Sequence, residues 1–112
     1  MSSKSSYTYE KLFEAMHALS LGRGDIRSRL EDAYRIFYVL RPEDFPVEFR
    51  KDWKWVKNQM TRFGPVYKLN GEELMTSVHH TMRKIRNNTG VTIAEKIFDL
   101  FFSLNSQYYG KR

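Results

Sequence analysis

Apolar side chains recur along this chain at steps of three and four rather than in alternation, which is the period of a helix. Over 8–21 the apolar positions are Tyr9, Leu12, Phe13, Met16 and Leu19, one face of an amphipathic helix. Ser6 or Thr8 can cap it, and Gly22 can end it in the left-handed conformation. After the connection GRGD, with Asp25 as N-cap, a second helix carries Ile26, Leu30, Ala33, Phe37 and Leu40, stepping 4, 3, 4, 3 until Pro42 stops it. Its outer face alternates in sign through Arg27, Glu31 and Arg35, so four-apart ion pairs are expected.

A third helix is predicted over 47–63, with Phe49, Trp53, Val56, Met60 and Phe63 inward and Gly64-Pro65 at its end. Val66, Tyr67 and Leu69, before the turn dipeptide Asn70-Gly71, suit a short extended stretch, marginal by itself. The fourth helix is expected over 73–88, with Leu74, Val78, Met82 and Ile85 inward and NNTG closing it. TIAE, 92–95, reads as a capping box that opens a fifth helix to about residue 104. There Ile93, Ala94, Ile97, Phe98, Leu100, Phe101, Phe102 and Leu104 leave a polar strip of only Glu95, Lys96, Asp99 and Ser103. So wide an apolar arc implies burial on two sides. A central position in the bundle is favoured, and a homodimer seam through 93–104 is the competing use.

The predicted fold is therefore all-α, a single-domain bundle of about five short amphipathic helices over 1–112, with 1–6 and 106–112 expected to be flexible. The length, the 41% hydrophobic content and the 15% aromatic content suit one compact core. The absence of cysteine excludes disulfides, thiol catalysis and Cys-ligated zinc. The polar first ten residues have no apolar leader segment. The longest apolar run, IFDLFFSL, carries Asp99 and falls well short of a membrane span. A cytoplasmic protein without a membrane span is the expectation.

No catalytic constellation emerges, and an enzyme is not expected. His79 and His80 are neighbours on a helix and diverge by about 100°, so they do not share a metal; no metal or cofactor is predicted. Gly22-Arg23-Gly24 lacks the preceding strand of a phosphate loop. The tripeptide RGD is too short to carry meaning. Two helix–turn–helix junctions have a suitable length, but acids on both second helices weaken them as DNA readers.

Charge changes the picture more. The net charge is +6, and all the excess lies after residue 45: the first 45 residues balance seven Lys/Arg against seven Asp/Glu. On the third helix, Arg50, Lys54, Lys57 and Thr61 align on one side of the inward stripe. Trp55 lies on the other, with Lys51 a turn before it, Gln59 a turn after and Arg62 beyond. On the fourth helix His79, Arg83 and Arg86 share an outer face, flanked by His80 and Lys84, and no acid occurs between Thr76 and Thr92. Cations stacked without interspersed acids forgo stabilising pairs. The expected function is binding of an anionic partner, nucleic acid or an acidic protein surface, through Arg50, Lys51, Lys54, Trp55, Lys57, Arg62, His79, Arg83, Lys84 and Arg86. The alternative is a structural or accessory subunit of an oligomer with no nucleic-acid role.

Overall fold

The computed structural model describes residues 3–109, with side chains over 6–107. The fold is all-α, as the periodicity predicts. Among the described residues five helices follow one another: α1 Ser3–Leu21, α2 Ile26–Phe37, α3 Arg50–Met60, α4 Ser77–Lys84 and α5 Asn87–Tyr109. Single 3₁₀ turns, Pro42–Asp44 and Val47–Phe49, lead into α3. α1 and α5 extend into the segments expected to be flexible, and residues 1, 2 and 110–112 lie outside the described residues. No described helix is long and apolar enough to cross a membrane.

α2 and α5 form a middle layer. α1 packs on one side of both, while α4 packs against α2 and α3 against α5 on the other side. Leu12, Leu30, Phe37, Trp53, Val56, Met60, Ile93, Ile97 and Leu100 are buried in the one continuous core. Phe37 stands edge-on to Trp53 at 5.0 Å and Phe45 stacks on Trp53 at 4.8 Å. The Trp53 indole N–H donates to the Leu40 carbonyl at 3.1 Å, which satisfies its one polar group in an apolar setting.

Several boundaries differ from the sequence expectation, each for a local reason. The fourth helix begins at Ser77, because Thr76 caps it by accepting from the His79 amide. Glu73–Met75 (β2) instead pairs antiparallel with Val66–Tyr67 (β1) across the Asn70-Gly71 turn, so Leu74 is exposed rather than inward. The helix expected over 47–63 is divided by the 3₁₀ turn at Val47–Phe49 and ends at Met60. Gly22 keeps a helical hydrogen bond to Ala18; the left-handed residue of the connection is Gly24, at φ 83°.

The largest correction concerns NNTG. It closes nothing; it is the first turn of α5. The chain turns the corner in two residues, the extended Ile85 and Arg86, and the Gly90 amide already donates to the Arg86 carbonyl in helical register. Gly90 is needed where α5 crosses α2: a side-chain carbon there would lie 3.0 Å from the Ile26 methyl. The capping box at 92–95 does not form. Thr92, already inside the helix, donates its hydroxyl to the Asn88 carbonyl at 3.1 Å.

The fifth helix takes the central place that its wide apolar arc predicts, touching α1, α2 and α3. Its burial is nevertheless incomplete. Ile93, Ile97, Leu100 and Leu104 are inside, while Phe98 and Phe102 are exposed. On α1, Phe13 also faces outward, and Ala15 and Thr8 occupy the core instead.

Candidate anion-binding surface

The ten residues singled out by the sequence fall into groups with different work. Arg50 donates from Nε to the Phe45 carbonyl at 2.9 Å and braces the 3₁₀ segment. Lys57 reaches across to α2, where its ammonium donates to the Tyr38 carbonyl at 2.8 Å and the Leu40 carbonyl at 3.4 Å. Burial there pushes the Lys57 ammonium below its ordinary range. His79 turns Nδ1 to the Glu31 carboxylate at 2.9 Å. These three are engaged within the fold.

Lys51, Lys54, Arg62, Arg83, Lys84 and Arg86 are exposed, and none forms an ion pair among the described residues. They do not make one continuous face. Lys54 lies on the flank of α3 that Lys57 turns toward α2. Arg62 sits at the end of α3, over the Phe63 ring at 5.0 Å. Arg83, Lys84 and Arg86 follow one another in sequence into the α4–α5 corner, where Arg83 lines a hollow with Asp25, Arg27, Glu31 and His79.

That corner is built from three helices. Arg27 of α2 donates to the Ile85 carbonyl at 3.2 Å, capping the end of α4. The same guanidinium pairs with Asp25 at 2.8 Å, which holds the Asp25 carboxyl below the usual carboxylate range. Thr81 ties α4 to the segment that follows α3: its buried hydroxyl accepts from the Phe63 amide at 3.0 Å and donates to the Phe63 carbonyl at 3.1 Å. Past Ile85, the first turn of α5 carries Asn87, Asn88 and Thr89 and no acid. The first amides of a helix lack partners within it, and the helix dipole is positive at that end. Exposed cations and a helix N-terminus therefore meet at one corner.

Trp55 belongs to the approach to this corner. α3 and α5 run antiparallel: Gln107 of α5 meets Glu48 at 2.9 Å, and Lys96 meets Asp52 at 3.7 Å. Continuing along α3 past Asp52 brings first Trp55 and then Gln59 toward the amino-terminal end of α5. Trp55 packs against the core yet is partly exposed, whereas Trp53 is fully buried.

The sequence reading missed the first turn of α5, because NNTG carries the composition of a terminator, and it set Arg27 in a four-apart pattern with Glu31 where the structure pairs it with Asp25 and the Ile85 carbonyl. It also missed Thr81, a lone hydroxyl in an otherwise apolar stripe. Among the described residues no three His, Asp or Glu side chains come together as metal ligands. Comparison with protein-family models, with curated proteins and with solved structures gives no match to this chain.

Proposed function

We propose that this chain is a non-catalytic helical binding protein that engages a phosphate-bearing partner, nucleic acid first, through the α4–α5 corner. The observation that carries this reading is the meeting of Arg83, Lys84 and Arg86, exposed and unpaired among the described residues, with the amino-terminal turn of the 23-residue helix α5. Helix N-termini and unpaired cations are the two devices by which proteins hold phosphate without reading bases. The partly exposed ring of Trp55, on the flank that leads to the corner, is suited to stack an unpaired base. Arg62, Lys51 and Lys54 extend the cationic surface along α3.

The test is fluorescence anisotropy with labelled single-stranded and duplex DNA over a series of salt concentrations. Affinity should fall as salt rises, because each neutralised phosphate releases counterions. Arg83→Gln and Arg86→Gln should each weaken binding evenly across sequences and reduce the salt slope by about one unit for each phosphate no longer neutralised. Trp55→Ala should cost about 1–3 kcal/mol on single strands and much less on duplex. Absence of binding to any nucleic acid at low salt would reject this reading and leave the acidic protein surface as the anionic partner. The second reading, an accessory subunit, draws on a different surface: the ridge formed by Phe98 and Phe102.

A further inference from the structure

The outward side of α1 and α5 is the reverse of the corner in character. Phe98 and Phe102 stand edge to face at 4.5 Å on the solvent side of α5, 45% and 52% exposed. Val91 continues the ridge two turns earlier. Across a groove floored by Met16, Ala94 and Ser20, α1 offers Phe13 and Leu21, also exposed. Monomeric proteins leave single apolar side chains outside freely, but a contiguous aromatic ridge beside a groove marks a docking surface.

The charges bordering the groove select its occupant. Glu95 and Asp99 line it on the α5 side, and Glu10 and Glu14 flank a neighbouring hollow beside Phe13 on α1. None of the four forms an ion pair among the described residues, and no Lys or Arg lines the groove. The other titratable groups there are His17, whose ring rests on Phe13 at 5.1 Å, and Tyr9, whose hydroxyl donates to Asn105 at 2.9 Å. In a chain of net charge +6, this acidic border is a local inversion. We propose that the α1–α5 groove docks an amphipathic helix of a partner protein, its apolar anchors set on the Phe98–Phe102 ridge and its flanking Lys or Arg side chains paired with these acids.

The other occupants fit less well. A second copy related by a two-fold axis would set this acidic border against its own image, and like charges across an interface oppose association. A head-to-tail copy would have to present cations with apolar anchors. Among the exposed apolar side chains, Tyr38 and Val39 near Arg35 and Arg41, and Tyr67 and Leu69 near Lys68, sit with cations already paired to Glu31, Asp32, Glu43 and Glu72. An anionic membrane surface would repel the border. The ridge from Val91 to Phe102 spans about three helical turns, which matches anchors at i, i+4, i+7 and i+11 of a bound helix.

The experiment uses the full chain and three synthetic peptides of about eighteen residues. One has Leu anchors at helical spacing flanked by Lys. The second replaces every Lys with Glu. The third keeps Lys and replaces the anchors with Ser. Calorimetric titration should give saturable one-to-one binding of the Lys–Leu peptide only; bulk attraction cannot produce this, since protein and peptide are both cationic. Phe98→Gln and Phe102→Gln should each weaken it about tenfold. A doubly charge-reversed variant, Glu95→Lys with Asp99→Lys, alters only exposed side chains and should lose the Lys peptide and gain the Glu peptide. Equal binding of the Lys and Glu peptides overturns the proposal, as does indifference to both sets of substitutions. A wild-type dimer in sedimentation that Phe98→Gln dissociates also overturns it, by assigning the groove to a second copy. DNA binding through the α4–α5 corner is measured separately, so either result can fail without the other.

Discussion

At the scale of single residues, four of the nineteen Lys and Arg side chains are committed to backbone carbonyls among the described residues. Arg27 donates to Ile85, Arg29 to Gly24, Arg50 to Phe45 and Lys57 to Tyr38. The Ile85, Phe45 and Tyr38 carbonyls lie at the ends of elements, where helix geometry leaves acceptors unfilled, and that of Gly24 lies in the connection before α2. Fewer cationic donors are therefore free for a partner than the residue count suggests, and the sequence could not reveal this, because most of the acceptors are brought close only by the tertiary fold. Thr81 is the uncharged counterpart, one hydroxyl serving both the amide and the carbonyl of Phe63. Thr81→Val keeps the shape and removes the acceptor, so the Phe63 amide loses its partner. The expected cost is about 1–3 kcal/mol in urea denaturation, and Thr81→Ser should recover most of it. A Val variant as stable as the parent would show that the hydroxyl is dispensable.

At the scale of elements, what was legible in the sequence was periodicity, and what was not was termination. The stripes through Leu30, Ala33 and Phe37, through Trp53, Val56 and Met60, and through Val78, Met82 and Ile85 are all buried. The separation of the two tryptophans was legible as well, since only Trp53 falls on the stripe. The ends misled because the same residues serve as cap or interior according to context. Thr76 and Thr92 make the point testable. Thr76 accepts from the His79 amide at the start of α4, whereas Thr92 bonds back to Asn88 within α5. Thr76→Ala should lower stability by about 0.5–2 kcal/mol, the usual loss of an N-cap. Thr92→Ala should be neutral or slightly stabilising, since alanine is the better helix former. Thermal melts of the two variants side by side decide the matter. A marked loss at Thr92 would instead show that the helix starts there. Of the candidate site, the cations of α4 were visible in the sequence. Their union with a helix N-terminus was not, because NNTG reads as a stop until α5 is seen to cross α2 at Gly90.

At the scale of the molecule, α5 touches α1, α2 and α3, and its partners are distant in sequence: the Tyr9 hydroxyl donates to Asn105, 96 positions away. A chain ending at residue 92 would lack Ile93, Ile97, Leu100 and Leu104. It should show no cooperative thermal transition, because the inward faces of α1, α2 and α3 would have no common surface to bury against. A cooperative melt of that fragment would show that the first four helices form a core of their own. The same arrangement bears on how the protein is made. During vectorial synthesis Leu12, Leu30, Phe37 and Trp53 all leave the ribosome before the helix that covers them exists. The nascent chain must carry these side chains in water until Leu104 has cleared the exit tunnel, an interval in which exposed apolar surface favours aggregation over packing.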